Sequence, residues 1–151
     1  MLVKEIMSTD VISIVPEAYL ESAAKKMRDH DIGFLMVSDD DNELLGVVTD
    51  RDIVCRGLAE GVSVFELSVA DVMTPHAIWC SENEDIGDAA RLMELNKVRR
   101  LPVQSRRAKI VGLLSFTDIS AHASQVLAGE IASAVAEGAK RTPAPPENKT
   151  N

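Results

Sequence analysis

Apolar positions recur along the chain with two alternating spacings. Leu20, Ala23, Ala24 and Met27 fall at i, i+3, i+4 and i+7, one face of an α-helix, and Ile86, Ala89, Ala90 and Met93 repeat that face. Each is followed by a short apolar run, Phe34-Leu35-Met36-Val37 or Leu101-Pro102-Val103, which predicts a buried strand. After a polar turn a second run predicts another strand, Leu44-Leu45-Gly46-Val47-Val48 or Ile110-Val111-Gly112-Leu113-Leu114. Short extended pieces, Val11–Ile14 and Ala77–Cys80, precede the helices. Pro16 suits a first helical turn, and Ser81-Glu82-Asn83-Glu84 reads as a capping box at the matching place. A final helix begins near Asp50 and again near Phe116. The predicted order is β-α-β-β-α, twice: an α/β chain of the α+β type.

The two copies are related by a constant shift of 66 residues, which aligns 3–53 with 69–119 without a gap. Eleven of the 51 positions are identical, against roughly three or four by chance at this composition. Two copies are too few for a solenoid. They predict two halves related by a pseudo-twofold axis, each covering the other's apolar face. The expected division is a first repeat over 1–60, a connector over 61–68, a second repeat over 69–130, and a helix end with a disordered tail over 131–151. Val126, Leu127, Ile131, Ala134 and Val135 form a late apolar stripe. It serves either a helix packed on its own module or a helix that forms a dimer.

Composition narrows the class. With 151 residues, 46% of them apolar, the chain can bury one core or two small cores. Aromatics are 3% and the net charge is −8, which argues against nucleic acid and anionic membranes as partners. No apolar run is long enough to span a bilayer, and the N-terminus has an acid within seven residues and no signal-peptide pattern. The expected compartment is the cytoplasm. Cys55 and Cys80 read as two reduced, buried thiols, and His30, His76 and His122 form no spaced metal set.

Three local features carry candidate chemistry. Gly46-Val47-Val48-Thr49-Asp50-Arg51-Asp52 and Gly112-Leu113-Leu114-Ser115-Phe116-Thr117-Asp118 each end a strand at a hydroxyl residue, with an aspartate three positions later. Such corners are capping boxes, or they present a hydroxyl and free N–H groups to a phosphate while the aspartate accepts from ribose hydroxyls. Arg99 and Arg100 precede the second buried strand, where the first copy has Gly33 and Phe34. Paired arginines suit phosphate, or simply a solvated strand end. The strand-strand turns swap charge: Asp39-Asp40-Asp41-Asn42-Glu43 is acidic and Ser105-Arg106-Arg107-Ala108-Lys109 is basic. These are two solvated turns, or complementary docking surfaces between subunits or toward an arginine-bearing partner. No nucleophile has a supporting base, so no catalytic site is predicted.

Over about residues 1–130 this pattern resembles a tandem pair of cystathionine-β-synthase (CBS) domains, the Bateman module. The resemblance rests on Val3-Lys4-Glu5-Ile6-Met7-Ser8 and Val69-Ala70-Asp71-Val72-Met73-Thr74, on Arg100-Leu101-Pro102-Val103, and on the two Gly-x-x-Thr/Ser-x-x-Asp corners. It implies a regulatory module, not an enzyme, that binds an adenosine-containing ligand in clefts between the repeats: AMP, ADP, ATP, S-adenosylmethionine or NAD. By position, Asp52 and Asp118 would hold ribose, and Thr49 and Ser115 would touch ribose or phosphate. Val11, Ile12, Ala77 and Ile78, with Val37 and Val103, would cradle the adenine. Arg99 and Arg100, with Arg51, would reach the phosphates in the Asp52 cleft, so that cleft is expected to hold a nucleotide more tightly than the Asp118 cleft. The resemblance also implies a homodimer. The competing expectation is a homodimeric scaffold that binds a protein partner and no nucleotide.

Overall fold

The computed structural model describes residues 1–122 and 125–139. In the first half, β1 (Ser13–Ile14), α1 (Leu20–His30), β2 (Phe34–Ser38), β3 (Leu44–Thr49) and the short turn α2 (Asp50–Asp52) follow in the predicted order. After α3 (Val69–Val72) and β4 (Thr74–Pro75), the second half repeats it with β5 (Cys80–Ser81), α4 (Ile86–Asn96), β6 (Arg100–Gln104), β7 (Ile110–Ser115) and α5 (Phe116–His122). α6 (Gln125–Ala139) closes the described chain.

The repeat holds at the level of single residues. β1 runs parallel to β2 with Ile14 opposite Val37, and β5 runs parallel to β6 with Cys80 opposite Val103. The β2–β3 and β6–β7 hairpins share one register and break it at the same step, between Val37 and Ser38 and between Val103 and Gln104. Both long helices end in a left-handed residue, Asp31 and Lys97, whose N–H bonds back into the last turn.

The halves exchange their opening segments. Val3, at the first turn of the chain, packs in the core of the second half with Leu101, Leu114 and Ile119. Val69 and Val72 pack in the core of the first half with Leu35, Val48 and Ile53. The chain then crosses the seam: Thr74 and Pro75 pair with Val47 and Gly46 at the edge of β3, and Ser8 pairs with Leu113 of β7. Gly46 and Gly112 let the crossing strands in, because a Cβ on either would meet Thr74 O at 2.4 Å or Ser8 O at 2.8 Å. Each fully buried leucine or valine contributes about 1.5–3 kcal/mol, so each half draws part of its stability from the other's opening turn.

Several local expectations are corrected. Neither Pro16 nor Ser81–Glu84 begins a helix. Tyr19 and Asp85 are held extended by bridges to Ser68 and Leu2, so the helices start one residue later. Glu84 still accepts from Ser81 N–H, closing a turn, while Asp85 caps α4 through Gly87 N–H. Val11, Ile12, Ala77 and Ile78 lie before the short first strands. Cys80 is buried but Cys55 is exposed. Ile131 is buried in the second half's core, where α6 lies against α4 and α5. Of the remaining stripe, the side chains of Val126, Leu127 and Val135 and the tail from Lys140 lie outside the described residues. No helix among the described residues is long and apolar enough to cross a membrane.

The charge-swapped turns meet each other. Glu43 bridges Lys109, its own counterpart in the repeat, and their side chains pair at 3.3 Å. Asn42 N–H₂ donates to Ile110 O beside them, so part of the charge complementarity is spent on the seam between the halves.

Candidate functional site

Where each crossing strand passes the other half's hairpin, it leaves a cleft. One, of about 710 Å³, is lined by Ser8, Asp10, Val11, Ile12, the segment His30–Phe34, Met36, Arg100 and Leu113. The other, of about 350 Å³, is lined by Phe34, Val47, Thr49, Thr74, His76, Ala77, Ile78, Val98, Arg99, Arg100 and Pro102. Shifting one set by 66 residues reproduces most of the other: Ser8 with Thr74, Val11 with Ala77, Ile12 with Ile78, Met36 with Pro102, Leu113 with Val47. We call them the Asp10 cleft and the Arg99 cleft. Phe34 and Arg100, themselves counterparts, stand on the seam and line both.

The Arg99 cleft brings together Thr49, Arg99, Arg100, Ala77 and Ile78. Its apolar wall comes from the second half's approach to β5 and its hydroxyl from the end of β3 in the first. Two guanidinium groups and the His76 ring enter it with no carboxylate among its lining residues. The Asp10 cleft holds Val11 and Ile12 with Arg100, and has Gly33 where the other has Arg99.

The corner aspartates belong to neither set of lining residues. Thr49 N–H donates to Asp52 Oδ2 at 2.9 Å and Asp52 N–H donates to Thr49 Oγ1 at 3.2 Å. Ser115 N–H and Oγ–H donate to Asp118 Oδ2 at 2.8 and 2.6 Å, and Asp118 N–H donates to Ser115 Oγ at 3.1 Å. Both corners are therefore reciprocal capping boxes, the plainer of the two sequence readings. In each, the hydrogen bonds among the described residues engage only Oδ2. Asp52 Oδ1 has Arg56 Nε 3.9 Å away, and its side chain is 16% exposed. One oxygen of each carboxylate thus accepts no hydrogen bond from the described residues. Asp52, Asp118 and Ser115 do not themselves line either cleft, and Arg51 points into solvent.

Val37 and Val103 are placed elsewhere. Both are fully buried in the two cores, facing the helices. Side chains alternate across a strand, so their neighbours Met36 and Pro102 face the clefts. The apolar run gave no phase, because Leu35, Met36 and Val37 are all buried. Sequence reasoning also missed Asp10, Asp31, Thr74 and His76. The crossing segments that carry Asp10 and His76 are visible in sequence only as the recurrence of Val3 and Met7 at Val69 and Met73.

Arg56, another residue the sequence reading passed over, links corner and crossing. After α2 the helix widens into a π turn over Ile53–Gly57. Arg56 Nη1 then donates to Val72 O at 3.2 Å, at the end of the segment that becomes the wall of the Arg99 cleft.

The family model for the CBS domain matches residues 3–56 and 69–124. Hypoxic response protein 1 of Mycobacterium tuberculosis is 35% identical over 119 residues, 79% of this chain and 82% of that protein. Its crystal structure, with two coordinated zinc ions, matches at a TM-score of 0.75 and 34% identity over 82% of this chain and 99% of that one. The CBS domain pair of MJ0100, in complex with 5′-methylthioadenosine and S-adenosyl-L-methionine, matches at a TM-score of 0.71 and 27% identity, covering 86% and 98%. CBSX2 in complex with AMP matches at a TM-score of 0.71 and 28% identity, covering 83% and 97%. The chain belongs to the CBS domain family, as a tandem pair.

Proposed function

We propose that this CBS pair is a ligand-sensing regulatory module that binds an adenosine-containing molecule between its repeats and performs no chemistry of its own. The carrying observation is the Arg99 cleft. It joins an apolar wall (Ala77, Ile78, Pro102) to a hydroxyl (Thr49) and two guanidinium groups (Arg99, Arg100). Those are the surfaces that a nucleobase, a ribose and a phosphate require. The AMP held by CBSX2 and the adenosine derivatives held by the MJ0100 pair support the same class of ligand here. In this reading Asp52 Oδ1 accepts from a ribose hydroxyl, and the arginines hold the phosphates. A phosphate-bearing nucleotide then binds the Arg99 cleft in preference to its counterpart.

A thermal-shift panel with AMP, ADP, ATP, S-adenosylmethionine and NAD tests this on the wild type, Asp52→Ala and Arg99→Ala. A ligand at 100 times its dissociation constant stabilises by about 2.7 kcal/mol. The expected result is stabilisation by a nucleotide, reduced in both variants. No shift with any compound would leave the scaffold that binds a protein partner. We also propose that the module is a homodimer of the cytoplasm. Exposed apolar side chains at Val54, Leu58 and Phe65 support the pairing. Light scattering at micromolar concentration is expected to give twice the chain mass, and a monomer would reject it.

A further inference from the structure

The two clefts are related by the repeat yet differ in charge at equivalent places. Asp10 stands where the other cleft has His76, and Gly33 where it has Arg99. Asp31 lines the Asp10 cleft, and its counterpart at the helix end is Lys97. Asp50 is the counterpart of Phe116, and its carboxylate lies against the Gly33 backbone: a Cβ there would be 2.6 Å from Oδ2. The Asp10 cleft is therefore lined by two carboxylates, Asp10 and Asp31, with the Arg100 guanidinium and the His30 ring, Asp50 lies just behind Gly33, and the cleft has about twice the volume of the other.

A phosphate of nearly two negative charges placed there meets the Asp10 and Asp31 carboxylates, beside the His30 ring and one arginine that the Arg99 cleft also uses. The apolar wall of Val11, Ile12 and Met36 still offers a nucleoside the same face as its counterpart. Resting on the reading that the clefts take adenosine compounds, we propose that the Asp10 cleft selects a nucleoside whose 5′ substituent is cationic or zwitterionic and carries no phosphate. An ammonium or sulfonium faces Asp10 and Asp31, and a carboxylate on the same tail faces Arg100. The site is the cleft itself; the carboxylates decide what it admits. The pair would then read two signals at once, a nucleotide in one cleft and a positively charged nucleoside in the other.

Isothermal titration tests this with AMP, S-adenosylmethionine and neutral 5′-methylthioadenosine, on the wild type and on Asp10→Asn/Asp31→Asn. Protein saturated with AMP is expected to bind one further equivalent of S-adenosylmethionine. The double variant is expected to weaken that binding about tenfold, as two partly solvated charge pairs imply. Binding of AMP to the Arg99 cleft and of neutral 5′-methylthioadenosine should stay within about twofold, while the loss of the two carboxylates should let AMP enter the Asp10 cleft. Competition between AMP and S-adenosylmethionine for one site would overturn the proposal, as would unchanged S-adenosylmethionine binding in the variant or AMP filling both clefts of the wild type equally. If AMP binds and S-adenosylmethionine does not, this inference fails and the sensor reading stands. If no compound binds, both fail.

Discussion

The corner that follows β3 and the corner that follows β7 begin alike and end differently. Each opens with the same reciprocal box, Thr49 with Asp52 and Ser115 with Asp118. The first then widens into the π turn, so Arg56 reaches Val72 O and Met73 O at 3.2 and 3.5 Å, just before the chain crosses the seam. The second continues as the regular helix α5, and its counterpart residue, His122, turns its Nδ1 to Asp118 O within the same helix at 3.0 Å. Among the described residues, one crossing segment is thus tied to the corner beside it and the other has no such tie. A single extra residue in a helical turn re-aims every side chain after it, and π turns of this kind collect at functional sites. Here the widened turn stands beside the cleft with two arginines.

Thiol chemistry gives the largest contrast between the halves. Cys55 lies exposed in the π turn, whereas burial pushes the Cys80 thiol from 9.0 up to about 12. At pH 8 roughly one part in ten thousand of such a thiol is ionised. A disulfide reagent should therefore label one thiol per native chain quickly, and the second only on unfolding. Rapid native labelling of both would show that the β5 edge opens. Between pH 9.0 and about 12 the unfolded chain loses this proton while native Cys80 keeps it. Stability should accordingly fall as pH rises through that window.

Next in size are the glycines that admit the crossing strands. In Gly46→Ala the new Cβ meets backbone, Thr74 O at 2.4 Å and Pro75 Cα at 3.2 Å. In Gly112→Ala its nearest neighbour is the movable Met7 Sδ at 2.6 Å, with Ser8 O at 2.8 Å behind it. Urea midpoints should show Gly46→Ala costing about 2–3 kcal/mol and Gly112→Ala less. Equal costs would mean that both crossings are equally rigid.

Arg56→Ala removes the tie itself. It should cost about 1 kcal/mol and speed hydrogen exchange at His76 N–H, which bonds Leu45 O. His122→Ala should change the amides around Ser8 by less than that. Matching effects would erase the difference between the corners. Smallest of all, Lys109→Gln should cost less than about 0.5 kcal/mol and lose its effect in salt, because the pair with Glu43 is largely exposed.

Much of this architecture was legible because the hydrophobic pattern is local and doubled. The helix faces at Leu20–Met27 and Ile86–Met93, both hairpins and the shift of 66 residues can all be read from the order of residues alone. Pairing of Arg99 and Arg100 with Thr49 in one cleft came from the family resemblance, and the structure brings those three side chains together. What escaped is non-local or depends on phase. An apolar run buried on both sides does not say which face Val37 takes. The bridge from Leu2 to Asp85 spans most of the chain and sets where α4 starts. A π turn leaves the apolar pattern intact, so nothing marked Arg56 or the exposure of Cys55.

The exchanged opening turns make each half's core unfinished without the other. A chain nicked between Gly61 and Val64 would lose its covalent link and keep nearly every contact. The two pieces would then behave as a split protein, each unfolded alone and each the template for the other. Association of the pieces, rather than folding of either, would become the slow and concentration-dependent step.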